Sequence, residues 1–135
     1  LKMIDEINKY KKDKNFFIFK NLDHLEFVNL IRMSSALVGN SSMGFLEAPY
    51  YKIPVVNVGR RQTGRLNVGN VNFVNYELKN IISALEKACF DKKYIQKLKK
   101  IPNIFGNGFS AKKIVNFLEK VNCKNSKWLI KKNLC

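Results

Sequence analysis

Val38-Gly39-Asn40-Ser41-Ser42-Met43-Gly44-Phe45-Leu46-Glu47-Ala48-Pro49 decides how the rest of the chain is read. The apolar Ala36-Leu37-Val38 runs into a glycine, two hydroxyls follow, and a second glycine opens an apolar, helix-like stretch. That order predicts a buried strand, a tight turn and a helix start. In open α/β sheets, ligands sit outside the carboxyl ends of strands, at turns of this kind. The free N–H groups and positive dipole end of the new helix suit a phosphate. Ser41 and Ser42 add hydroxyls, and either can cap the helix. Glu47 comes about one turn later, too far in to act as a cap. A carboxylate beside a phosphate makes electrostatic sense when it binds hydroxyls, and a ribose on that phosphate supplies them.

Working outward, strand and helix signals alternate. Towards the amino terminus, Met3, Ile4, Ile7 and Tyr10 form a helical stripe over residues 1–12. Phe16-Phe17-Ile18-Phe19 is short, aromatic and continuous, which predicts a buried strand. Asp23 stands three residues before Glu26, a capping-box-like start to a helix with Leu25, Val28, Leu30, Ile31 and Met33 on its apolar side. Beyond the central motif, Pro49 should kink or shorten its helix. Residues 53–58 predict a third strand with Pro54 at its entry, and residues 71–74 a fourth. A helix over residues 77–90 carries Leu78, Ile81, Ile82, Leu85 and Ala88 on one face, and Asp91 is placed to cap the next. Ser110 is placed to cap a last helix with Ile114, Val115, Phe117, Leu118 and Val121 turned inward. The expected fold class is α/β, a Rossmann-like parallel sheet with helices on both faces.

Composition narrows the function classes. A chain of 135 residues with 46% hydrophobic content is one folded domain rather than a disordered segment. No apolar run approaches the roughly 18 residues of a membrane span, and the amphipathic, acid-bearing start is not a secretory signal. The first residue is Leu1 rather than a methionine, which suggests a piece of a longer polypeptide. Cys89, Cys123 and Cys135 are odd in number and lack metal-ligand spacing, so a reduced cytoplasm is the expected setting and no metal is expected. The net charge of +15 would favour nucleic acid or an anionic surface by field alone. The lysines are nonetheless scattered along the whole chain without the basic-aromatic pattern of an RNA-binding module, so a solvated lysine surface is the stronger reading. The tail over residues 122–135 is lysine-rich, with Trp128-Leu129-Ile130 as its apolar cluster.

Parallel strands share one carboxyl edge, so the loops after the first three expected strands should surround one crevice. These are residues 20–22, residues 40–44 and the basic, glycine-bracketed residues 59–65. They offer backbone amides, two serines and Arg60, Arg61 and Arg65, with Glu47 on the adjoining helix. The set suits a nucleoside diphosphate, with phosphates on Ser41, Ser42 and the helix amides, charge balance from an arginine, and ribose on Glu47. Plain helix capping competes for the serines and solvated charge for the arginines, but flanking glycines favour a shaped loop. A complete catalytic apparatus is not evident. His24, the one histidine, stands at a helix start, and the serines have no neighbouring His/Asp pair in sequence.

Several motifs in this order carry a family resemblance. Residues 39–44, Glu47-Ala48-Pro49, Ile53-Pro54-Val55-Val56-Asn57-Val58-Gly59 and Arg61-Gln62-Thr63-Gly64-Arg65 resemble hydrolysing UDP-N-acetylglucosamine 2-epimerases. Phe105-Gly106-Asn107-Gly108 is similar to that family's Tyr-Gly-Asp-Gly turn. The resemblance covers residues 1–121 and implies the carboxyl-terminal, UDP-binding Rossmann-like half of a two-domain GT-B enzyme, with the tail 122–135 outside it. The implied reaction eliminates UDP from UDP-GlcNAc and then adds water, giving N-acetylmannosamine for sialic-acid-type sugar synthesis.

Carried onto this chain, the resemblance implies that Ser41 and Ser42, with Met43 in the same turn, hold the diphosphate. Glu47 holds the ribose hydroxyls, Arg61 contacts the UDP, and the Leu22 backbone meets the uracil. No cofactor is implied, and no catalytic residue lies in this chain, because the acid/base groups are upstream in the family. The implied partners are UDP or UDP-GlcNAc and an amino-terminal domain in the same or another chain, with a homo-oligomer at full length. Neither membrane nor nucleic acid is an expected partner. The competing readings are a related GT-B glycosyltransferase nucleotide-sugar domain and a basic nucleic-acid-binding module.

Overall fold

A computed structural model describes residues 2–121 and places three short strands in one parallel sheet of order β1-β2-β3. They are β1 (Leu37–Gly39), β2 (Val55–Val58) and β3 (Val71–Val74). Leu37, Val55 and Val71 lie side by side at the amino edge, and Gly39, Asn57 and Phe73 side by side towards the carboxyl edge. The chain divides into two compact units, Leu1–Ile101, which holds the sheet, and Pro102–Cys135.

The alternation of side chains along β2 builds two hydrophobic layers. Val55 packs with Ile31 of α2 (His24–Met33), Phe45 of α3 (Met43–Leu46), Ala48 of α4 (Ala48–Tyr51), Ile53 in the link before β2 and Val71 of β3. Val56 faces the other way, onto Ala84 and Ala88 of α5 (Leu78–Phe90). Val56 is completely buried, and burial of such a side chain contributes about 1.5–3 kcal/mol. Helices on both faces of a parallel sheet are the α/β arrangement expected from the sequence.

Local chemistry accounts for most of the element ends. Asp23 caps α2, its carboxylate accepting from Leu25 N at 2.9 Å, and Asp91 caps α6 (Lys92–Lys99), accepting from Tyr94 N at 3.0 Å. Pro49 lies in the first turn of α4, where a missing N–H costs nothing, and the expected single helix is divided there into α3 and α4. Lys52, at φ 61°, closes α4 in the left-handed conformation and turns the chain into β2.

Residues 16–19, the apolar faces of α2 and α5, and the second unit depart from expectation. Residues 16–19 form no strand: among the described residues the sheet ends at β1, so the aromatic run has no ladder partner and Phe17 is 80% exposed. The β2–β3 connection is a loop, as read from its basic, glycine-bracketed residues 59–65. Its glycines Gly59, Gly64 and Gly69 all sit at positive φ, and Asn67 pins its far end through Gly69 N, Val71 N and Val71 O. The buried stripe of α5 is Ala84 and Ala88, while Leu78 is 70% exposed; Ile31 alone is buried on α2. Within the second unit, Ser110 is the first residue of α7 (Ser110–Leu118) rather than its cap, and Ile114, Val115, Phe117 and Leu118 are exposed rather than inward. The tail 122–135 lies outside the described residues. α1 (Lys2–Lys9) forms as expected, with Met3 and Ile4 exposed.

Candidate functional site

The turn after β1 is built by its own backbone. Gly44 N donates to Ser41 O at 3.3 Å, and Phe45 N and Leu46 N donate to Ser42 O at 2.9 and 3.1 Å. Ser41 is exposed, and its Oγ accepts from Met43 N at 3.3 Å. Ser42 already has helical backbone angles, is half-buried and makes no capping bond with its side chain. The Met43 side chain packs against the first hydrophobic cluster, so Met43 presents its backbone rather than its thioether to the turn. Glu47 is exposed at the junction of α3 and α4, its N–H bonded to Met43 O at 2.9 Å.

The loop after β2 is anchored at both ends. Asn57 is 1% exposed on β2, and its Nδ2 donates to Gly59 O at 2.9 Å. Gly59 N donates to Val74 O at 2.8 Å. At φ 82°, Gly59 holds a conformation that suits glycine, and any Cβ here would run into the Tyr76 hydroxyl. Further along, Gln62 is 3% exposed; its Nε2 donates to Asn40 O at 2.8 Å, and its Oε1 accepts from Arg65 Nε. One buried amide thus joins the serine turn to the arginine loop. Arg60, Arg61 and Arg65 are exposed, and none has a carboxylate partner among the described residues.

Two hollows include residues of the expected site loops. One, of about 570 Å³, opens at the carboxyl ends of β2 and β3 between Gly59, Arg60, Gly64, Phe73, Asn75 and Tyr76. The other, of about 490 Å³, is lined by Phe19, Asn21, Leu22, His24 and Phe27 where the chain enters α2. Ser41, Ser42 and Met43 therefore share one turn, cross-tied to the loop that carries Arg61. Glu47 stands one short helix beyond it, and Leu22 lines the other hollow. Sequence reasoning missed Gln62, Asn57 and Tyr76. The first two are polar residues inside otherwise apolar or basic runs, a signal that they are buried and bonded rather than solvated. The arrangement offers amides, hydroxyls and unpaired guanidinium groups, a chemistry that holds anions rather than one that moves protons.

Parallel strands, layers on both faces and loops gathered on the carboxyl edge define a Rossmann-like α/β domain. Among the described residues, no helix is long and apolar enough to cross a membrane. The chain belongs to the UDP-N-acetylglucosamine 2-epimerase family, whose model matches residues 1–119. It is 32% identical over 120 residues to a UDP-N-acetylglucosamine 2-epimerase of Neisseria meningitidis serogroup B, covering 89% of this chain and 30% of that protein. It is 35% identical over 88 residues to a GDP/UDP-N,N'-diacetylbacillosamine 2-epimerase (hydrolyzing) of Campylobacter jejuni, covering 63% of this chain and 22% of that protein. It is 30% identical over 115 residues to a UDP-N,N'-diacetylbacillosamine 2-epimerase (hydrolyzing) of Legionella pneumophila, covering 85% and 29%. The chain spans less than a third of the length of these relatives.

Proposed function

We propose that this chain is the UDP-binding half of a hydrolysing UDP-GlcNAc 2-epimerase. The enzyme converts UDP-GlcNAc and water into N-acetylmannosamine and UDP, by elimination of UDP and hydration of the resulting glycal. N-acetylmannosamine then feeds sialic-acid-type sugar synthesis in the cytoplasm. The observation that carries this reading is the Gln62 bridge, which sets a serine turn against a basic loop on the carboxyl edge of a parallel sheet.

In this reading Ser41, Ser42 and the Met43 N–H receive the diphosphate, whose charge Arg61 balances. Glu47 accepts from the ribose hydroxyls, and the uracil lies against the Leu22 backbone in the hollow at the start of α2. These groups bind and orient the leaving UDP. Elimination moves a proton from carbon to a base, and the carboxylates and histidine for that step belong to the amino-terminal domain. The full-length enzyme closes the cleft between the two domains and assembles as a homo-oligomer.

Calorimetric titration of the chain with UDP tests the assignment. UDP binds weakly, and Ser42→Ala and Glu47→Ala each weaken it about tenfold, as expected for a hydrogen bond to a charged group. Equal binding by all three proteins overturns the site. The chain alone releases no UDP from UDP-GlcNAc, and release that persists through purification would overturn the division of labour.

A further inference from the structure

Three cationic side chains stand in the loop after β2, and they are not equivalent. Arg60 and Arg61 are exposed, with no hydrogen bond or carboxylate to hold their guanidinium groups among the described residues. Arg65 is also exposed, but its Nε is bonded to Gln62 Oε1. Gln62 in turn is buried, and its Nε2 is bonded to the carbonyl of Asn40, the residue immediately before Ser41. Arg65 N also donates to Gln62 O at 3.3 Å, so backbone and side chain both tie the arginine to the same glutamine.

We infer that Gln62 is a positioning residue that orients Arg65 as a phosphate-contacting cation of the serine turn, working alongside Arg61. The inference rests on the UDP-binding reading above and adds two residues to it. An amide suits this task because it donates at one end and accepts at the other. Its donor end is spent on Asn40 O and its acceptor end on Arg65 Nε, which fixes which end faces which loop. With Nε committed, the two terminal nitrogens of Arg65 remain to make a forked contact with phosphate oxygens. A guanidinium already held in place loses less freedom on binding than the free side chains of Arg60 and Arg61.

The test is a double-mutant cycle read by UDP titration, together with the Arg65 Nε–H resonance in a nitrogen–proton spectrum. In the wild-type chain, the Arg65 Nε–H exchanges slowly with solvent, and Gln62→Met, which keeps the volume and removes both bonds, abolishes that protection. Arg65→Ala and Gln62→Met each weaken UDP binding about tenfold. The double variant binds no more weakly than Arg65→Ala alone, because the glutamine acts only through the arginine. Arg65→Ala changes an exposed position, so its binding result stands even where Gln62→Met fails to fold. UDP affinity unchanged in Arg65→Ala, or losses that simply add in the double variant, overturns this inference while leaving UDP binding intact. Failure of the wild-type chain to bind UDP overturns the functional reading and the phosphate role with it, a result distinguishable because the Nε–H signature needs no ligand.

Discussion

Gly44 brings helix α3 close against Val55 of β2, and replacing it tests the packing beneath the serine turn. A Cβ built on Gly44 lies 2.8 Å from Val55 Cγ1, 3.5 Å from Cγ2 and 3.6 Å from Cβ. Carbon atoms rest at about 3.5–4.0 Å, so roughly 0.7 Å of separation has to be found. Val55 cannot easily yield it, being β-branched with a stiff χ1 and buried in the first hydrophobic cluster. The helix must move instead, and that movement strains the bond from Asn70 Nδ2 to Gly44 O at 2.9 Å, made by a side chain that is itself fully buried. Overpacking of this kind costs about 1–3 kcal/mol. Replacing glycine by alanine within a helix returns up to about 1 kcal/mol. Gly44→Ala should therefore destabilise the chain by about 1–2 kcal/mol, lowering the urea midpoint by about 0.5–1 M at an unchanged slope. Val55→Ala removes the methyl groups in the way at the cost of their burial. The double variant should then be more stable than the sum of the single losses implies, by about 0.5 kcal/mol or more. Unfolding of Gly44→Ala at the wild-type urea concentration, or strict additivity with Val55→Ala, would show that α3 does not bear on β2 as described.

Two further predictions concern the other face and the helix ends. Asp91→Ala removes the bond to Tyr94 N and should cost about 1 kcal/mol in the same urea assay, whereas Asp91→Asn, which retains a capping oxygen, should cost much less. Burial raises the Tyr94 hydroxyl above its usual value of 10.0, and that hydroxyl donates to Asn70 O at 3.1 Å. The folded form therefore holds this proton more tightly than the unfolded form. Its contribution is complete below pH 10 and is lost as the pH rises through the raised value. Thermal melts between pH 9 and pH 11.5 should show a shallower loss of stability in Tyr94→Phe than in wild type, and parallel curves would contradict the assignment.

Much of the first unit was legible locally. Apolar runs bounded by turn residues marked β1 and β2, and alternation over residues 71–74 marked β3, although only β2 is buried along most of its length. Asp23 and Asp91 announced their helices because a cap acts within three residues of itself. Pro49 divided its helix for an equally local reason. The serine turn and the arginine loop could be placed on one edge from strand direction alone.

What the sequence could not decide was pairing at a distance. Phe16-Phe17-Ile18-Phe19 has every local mark of a strand, but a strand exists only where another offers it a ladder, and β1 pairs with β2 alone among the described residues. Leu78 and Ile82 share a helical stripe with Ala88, yet close contact with Val56 falls to Ala84 and Ala88, because the sheet admits the helix most closely where side chains are small. Gln62 reads in sequence as one more polar residue in a basic loop, and only the fold brings it to Asn40, twenty-two positions earlier. The chain by itself determined the three strands of the sheet, the Asp23 and Asp91 caps and the family motifs, since each depends on neighbours in sequence. Which polar groups are buried, which arginine is held and which apolar faces find cover were decided by tertiary structure, since desolvation and hydrogen bonding depend on what the fold places alongside.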